Sequence, residues 1–248
     1  MSKPILFLAL AAALLAAQCG SPAAEAETAS QQEPEAEPES YEPFELATLR
    51  LEQNATDGDM EVVFELTGGD EGLTRLKVVS PGGDMLIDYT SHGDESMGIR
   101  KFILESPEPG DAESLKMAFP EGAYQFTGID TEDNGFKGEA TLNHALPATA
   151  AFLNPEPEAE NVPVEGLEIK WRPVEGLSAY IIEVEAEGEG QRAAIVATLP
   201  GTAQSFAVPA GFLQPGAEYK VAIGTVAGGG NRSFVETTFT TAGGQEEE

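Results

Sequence analysis

Leu213-Gln214-Pro215-Gly216-Ala217-Glu218-Tyr219-Lys220-Val221 is the stretch whose reading decides the fold. Pro215 presets a backbone dihedral suited to a tight turn, and Gly216 accepts the positive φ that such a turn asks of its next residue. Tyr219 then opens a run to Gly224 in which Tyr219, Val221 and Ile223 share one face, the period-two signature of a half-buried strand. Upstream, the same alternation marks Leu167–Trp171, Tyr180–Glu185, Ala193–Leu199 and Ser205–Val208 as strands; downstream it marks Phe234–Thr240. Pro173-Val174-Glu175-Gly176 turns the chain, and the glycines from 188 to 190 interrupt it again. Short strands parted by Gly and Pro turns predict a sandwich rather than an α/β fold.

Residues 163–241 resemble a fibronectin type III domain. The resemblance rests on Trp171 in Leu167-x-Ile169-x-Trp171, on Tyr180 opening Tyr180-Ile181-Ile182-Glu183-Val184, and on Leu213, Pro215 and Tyr219 in the stretch quoted above. It implies that Trp171 and Tyr180 lie in the core. It also implies that Tyr219 forms a tyrosine corner, its hydroxyl bonding back to the backbone. Such domains are binding modules or spacers, and the expectation is a non-catalytic protein. The loop Ala227-Gly228-Gly229-Gly230-Asn231-Arg232 is expected as a hairpin loop, because a phosphate cradle needs a helix behind it and a strand follows here.

Residues 44–147 are expected to form a second, N-terminal β-sandwich-like domain. Its strands are read at 46–51, 61–66, 73–79, 85–89, 99–104, 123–128 and 136–142. Asp111 to Phe119 breaks the alternation, and acidic residues at its start with Leu115 and Phe119 at helical spacing predict a short helix plugging one end of the sandwich or crossing between its sheets. Residues 148–162, with Asn154-Pro155-Glu156-Pro157-Glu158-Ala159-Glu160-Asn161 at their centre, read as a short stiff linker. The stretches 54–59, 119–128 and 141–147 resemble uncharacterised exported bacterial proteins that carry an N-terminal β-domain before a type III domain. That resemblance implies architecture and brings no activity. The fold class expected is all-β: two immunoglobulin-like β-sandwich domains behind a signal peptide and a disordered acidic tether.

The start of the chain reads as an address. Lys3 precedes an apolar run from Ile5 to Ala17, too short to span a bilayer comfortably. Ala16-Ala17-Gln18-Cys19 resembles the cleavage box of bacterial lipoproteins, which implies a signal peptide over 1–18, lipidation of Cys19, and a cell-envelope address, with outer-membrane sorting because no aspartate follows the cysteine. An ordinary secretory signal with Cys19 incidental is the competing reading. Residues 19–43 lack apolar bulk and read as a disordered Pro/Glu/Ala tether; 242–248 read as a disordered tail.

Lys and Arg total 13 against 43 Asp and Glu, a net charge of −30. Counterion release gives so acidic a chain nothing to gain from nucleic acid, so no nucleic-acid partner is expected. Adaptation to salty surroundings is the reading of this acidity placed ahead of cation binding. Cys19 is the single cysteine, so no disulfide framework forms within the chain. Asp130, Glu132 and Asn134 before Gly135 have the alternate-oxygen spacing of a calcium loop, but Thr141 stands where its terminal glutamate belongs and the flanks read as strands. Turn chemistry explains that run and Asp57-Gly58-Asp59 equally. No cofactor is expected. His92, near Ser91 and Asp94, reads as a surface-loop residue; His144 reads as a cap or packing residue at the linker. Asn54 and Asn231 head chance Asn-x-Ser/Thr runs. Two functions stay open: a surface or periplasmic binding and adhesion module for an envelope protein or glycan, and a structural or assembly subunit with the type III domain as spacer.

Overall fold

The computed structural model describes residues 38–91, 98–188 and 193–243. Cys19, the leader, the tether up to residue 37, His92 and residues 244–248 lie outside the described residues. The chain from Glu37 onward is one compact unit. Among the described residues it is all-β apart from one short helix.

The first lobe contains β1 (Tyr41–Pro43), β2 (Leu46–Asn54), β3 (Asp59–Thr67), β4 (Leu73–Val79), β5 (Met85–Thr90), β6 (Lys101–Glu105), α1 (Ala112–Ala118), β7 (Gly122–Asp130) and β8 (Gly135–Leu142). One sheet has the order β1-β8-β7-β4-β5, and it faces β2-β3-β6. Alternation sets which faces meet. Leu49, Leu51, Val62, Phe64 and Leu66 of one sheet pack with Leu73, Leu76, Val78, Tyr124 and Phe126 of the other in a single core. The helix crosses between the sheets in the β6–β7 connection. Asp111 caps it, accepting from the Ser114 amide at 2.7 Å, and that bond lowers its carboxyl pKa. Leu115 points into the core, where Phe119 packs beside Phe64.

The second lobe contains β9 (Ala151–Asn154), β10 (Ala159–Val162), β11 (Glu168–Arg172), β12 (Ala179–Ala186), β13 (Ala194–Pro200), β14 (Ser205–Ala207), β15 (Glu218–Val226) and β16 (Arg232–Thr241). The sheet β14-β11-β9 faces β13-β12-β15-β16. Trp171 and Tyr180 fill the space between them with ring centroids 5.1 Å apart.

Two expectations need correcting. Residues 148–162 are not a linker: β9 pairs with β11, and β10 pairs in parallel with β16. Ala150 and Val162 are buried in the second core and Phe152 packs on it, so this stretch supplies the first edge of both sheets. The tether also ends sooner than residue 43, because β1 pairs in parallel with β8 from Tyr41 onward and Lys137 sits 3.7 Å above the Tyr41 ring.

Strand order relates the lobes to each other. In each, three strands (β2-β3-β6, then β9-β11-β14) oppose four (β8-β7-β4-β5, then β16-β15-β12-β13), in the same sequence of connections. The first lobe therefore repeats the immunoglobulin-like strand order of the second. The two lobes are also joined edge to edge. β16 pairs in parallel with β2, so one eight-stranded sheet runs from β13 through β12, β15, β16, β2 and β3 to β6, with β10 paired to β16 beside that path.

Candidate functional site

The joint between the lobes holds two buried polar side chains, Asn231 and Ser233, beside a group of carboxylates and arginines. Its backbone is set by β16. Arg232, Ser233 and Phe234 lie opposite Glu52, Gln53 and Asn54 of β2, while the far end of the same strand edge, at Phe239 and Thr241, is covered by β10.

Asn231 sits at the start of this seam and is 1% exposed. Its Oδ1 accepts from the Leu51 amide at 2.9 Å. Its Nδ2 donates to the Asn143 carbonyl at 2.9 Å, to Asn143 Oδ1 at 3.1 Å and to the Ala145 carbonyl at 3.0 Å. One amide side chain thus ties β2, the segment after β8 and the β15–β16 turn together. Beside it the buried Ser233 hydroxyl donates to the Pro147 carbonyl and accepts from Gln53 Nε2, each at 2.8 Å. The Ala55 amide donates to the Phe234 carbonyl at 2.8 Å, and the Glu236 amide to the Thr56 hydroxyl at 2.7 Å. The buried Asn231 and Ser233 side chains favour this one arrangement, because moving either lobe leaves them without partners; Arg232 Nε beside them is buried with no hydrogen-bond partner among the described residues.

On the outer face of the shared sheet the joint opens into a cleft of about 220 Å³ lined by Glu52, Asp59 and Glu61 from the first lobe and Glu183, Phe234 and Glu236 from the second. Phe234 lies flat over Gly224, where an added Cβ would come within 2.5 Å of its ring. Arginines answer only part of the negative charge. Glu52 accepts from Arg50 Nε at 3.0 Å and from Arg232 Nη1 at 3.4 Å across the joint. Arg50 also reaches Glu65 at 3.2 Å. Burial, then the neighbouring Arg50, pulls the Arg232 pKa down. Burial, then Glu105, Glu52 and Asp59, pushes Glu61 up to about 7. Glu183 is raised by burial first and then by Glu185, Glu52 and Glu236. The cleft can therefore hold a proton near neutral pH. Among the described residues no group of three or more His, Cys, Asp and Glu side chains is placed to hold a metal ion.

The residues singled out from the sequence lie elsewhere. Tyr219 Oη accepts from the Gln214 amide at 2.7 Å, with Leu213 buried beneath and Pro215 exposed in the turn. Tyr180 Oη accepts from the Val174 amide at 2.7 Å. Asp130 is buried and spends its oxygens locally: Oδ1 accepts from the Glu132 and Asn134 amides at 2.9 and 2.8 Å, and Oδ2 from Asn134 Nδ2 at 3.0 Å. That is a turn closing the β7–β8 hairpin, with Glu132 and Asn134 exposed. Asp57 closes the β2–β3 turn in the same way, accepting from the Asp59 amide at 3.0 Å. His144 Nε2 lies 2.8 Å from the Phe119 carbonyl, packing the end of the helix against the end of β8.

Asn231 and Tyr124 are the residues that reading the sequence missed. Tyr124 Oη donates to the Pro120 carbonyl at 2.9 Å, and burial pushes its pKa up to about 12. Its signal was available, since Pro120 precedes Tyr124 by the same four residues that separate Pro215 from Tyr219.

No known family profile matches the chain, and no curated protein matches it by sequence. Among solved structures, the fibronectin type III domain of human collagen alpha-1(XX) aligns at 23% identity over 41% of this chain and 89% of its own, with a TM-score of 0.29. A two-domain type III segment of chicken tenascin aligns at 16% identity over 78% of this chain and 97% of its own, TM-score 0.30. The fibronectin(III)-like modules of Clostridium thermocellum CbhA align at 10% identity over 82% of this chain and 94% of their own, TM-score 0.33. At those scores the likenesses carry no weight of their own; the sandwich reading stands on strand order and core composition.

Proposed function

We propose that this chain is a non-catalytic binding module of the bacterial cell envelope, held there by a lipid on Cys19, whose paired sandwiches present one fixed surface to a protein or glycan. The observation that carries this reading is the joint. Asn231, Ser233 and the β16–β2 pairing make two sandwiches into one body, and a pre-organised surface binds without first paying to order its parts. The acidic tether, as read from the sequence, would give that body reach from the membrane.

The test is a pull-down with the chain from Glu37 onward, immobilised by its N-terminus, against solubilised envelope proteins and, separately, purified envelope glycans. Saturable capture of one class that is lost when the bait is heat-unfolded supports the reading and names the class. A constant stoichiometric complex with one envelope protein shifts the reading to an assembly subunit. Retention of neither sinks it.

A further inference from the structure

Among the described residues, one end of the shared sheet has no neighbour. β13 reads Ala194-Ile195-Val196-Ala197-Thr198-Leu199-Pro200, seven residues without a charge in a chain where 23% of residues are charged. Among the described residues it is the longest uncharged edge strand, and nothing there pairs with its outer side. The other edges are shorter or carry charge: β6 has Lys101 and Glu105, β5 has Asp88, and β9 and β14 have four and three residues. Natural sheets guard their edges with lysine, mid-strand proline or bulges, and β13 has only a proline at its last position.

Register shows what the edge offers. The Ala186 amide bonds the Ala193 carbonyl, and the Gly201 amide bonds the Ser178 carbonyl. Hydrogen-bonded pairs alternate along an antiparallel ladder. Hence Ile195, Ala197 and Leu199 turn their backbone groups toward β12, while Ala194, Val196 and Thr198 turn N–H and C=O outward. The side chains of those same three are exposed, Val196 to 67%.

The neighbouring strand fixes the charge of what fits. Glu185 lies opposite Ala194, and Glu183 opposite Val196, on the same exposed face. Lys220 is 3.9 Å from Glu185, but it is shared with Glu236 at 3.6 Å. Among the described residues Glu183 makes no ion pair, and its carboxyl is pushed up by burial and then by Glu185, Glu52 and Glu236. A strand added to β13 would lie about 9.6 Å from β12, two strand spacings. Lysine or arginine reaches across that gap over the small Ala194 and Thr198 side chains. A second copy of this chain would bring its own −30 charge and its own Glu183 and Glu185 to the same face.

We propose that the outer edge of β13 is a strand-addition site for an extended, basic segment of a partner protein, whose main chain pairs with Ala194, Val196 and Thr198 and whose cations meet Glu183 and Glu185. This rests on reading the chain as a binding module and names the partner's chemistry.

The experiment adds synthetic ten-residue peptides to the full chain: one alternating lysine with valine, one alternating glutamate with valine. Binding is read by titration at two salt concentrations and by amide hydrogen exchange. The expected result is slowed exchange at Ala194, Val196 and Thr198 with the lysine peptide alone, and affinity that falls as salt rises. Val196→Pro removes an outward N–H and no ladder bond, and should weaken binding at least tenfold. Val196→Lys keeps the backbone intact and should do the same if the proline variant fails to fold. Glu183→Gln with Glu185→Gln should weaken it several-fold. Protection elsewhere, equal binding of the two peptides, unchanged binding by the Val196 variants, or no protection at all would each overturn the proposal. Protection without peptide that grows with protein concentration would assign the edge to a second copy and overturn it too. A partner captured in the pull-down while β13 stays unprotected would sink the edge alone and leave the binding module standing.

Discussion

Replacing Asn231 by alanine tests the joint most directly. The side chain is 1% exposed, so no water stands ready to replace what it gives. Its removal orphans the Leu51 amide and strips a donor from the carbonyls of Asn143 and Ala145. A buried group left unpaired costs about 1–3 kcal/mol, and one buried amide with two part-buried carbonyls brings the expected loss to about 3 kcal/mol. Asn231→Asp should be worse once its carboxyl is ionised. It keeps an acceptor for Leu51 but turns a second carboxylate oxygen toward three oxygens now 2.9–3.1 Å from the amide nitrogen. The assay is urea unfolding followed by Trp171 fluorescence and by far-ultraviolet circular dichroism. The chain has one tryptophan and it lies in the second lobe, whereas dichroism reports both. The native chain should give coincident transitions; Asn231→Ala should lower the midpoint and separate the two curves. A loss under about 0.5 kcal/mol, the range of ordinary surface changes, with coincident curves would refute the claim that Asn231 couples the lobes.

Other outcomes follow from the same contacts. Glu61 titrates near 7 in the folded chain against 4.5 ordinarily, so the folded state binds more protons between those values and stability falls as pH rises through that window; Glu61→Gln should raise the urea midpoint at pH 8 and leave it nearly unchanged at pH 4.5. Tyr219→Phe removes the acceptor of the Gln214 amide and should cost about 1–2 kcal/mol in urea unfolding, and Tyr124→Phe, which takes a donor from the Pro120 carbonyl, should cost about 1 kcal/mol. Metabolic labelling with a palmitate analogue should mark the native chain and leave Cys19→Ala unmarked; equal labelling of both would sink the lipid anchor.

What sequence reading reaches here is what short-range pattern encodes. The Pro-Gly turn before Tyr219 and the alternation of Tyr180–Val184 give local geometry directly, and both strands stand where the alternation puts them. The helix over 112–118 follows from Asp111 and the spacing of Leu115 and Phe119. β9 and β10 escape because Pro155, Pro157 and three glutamates break the alternation, although Phe152 and Val162 still reach the core. The joint escapes for a different reason. β16 and β2 are 180 residues apart and pair over three residues, too few to impose a pattern on either strand. Asn231 follows three glycines and looks like any loop residue, because its burial depends on oxygens from residues 143–145. Glu52 and Glu183 are indistinguishable from the other acids until the sheet places them on one face.

A ten-residue strand that lends one end of its edge to each lobe also bears on how such a protein can vary over time. Chains of sandwich domains are commonly shuffled as beads, each excised at a linker and spliced elsewhere. Here a break anywhere between Leu142 and Val162 would leave the start of β16, Arg232 to Phe234, without a neighbour and Asn231 facing water. A shuffling event that kept the joint intact would have to carry both sandwiches together.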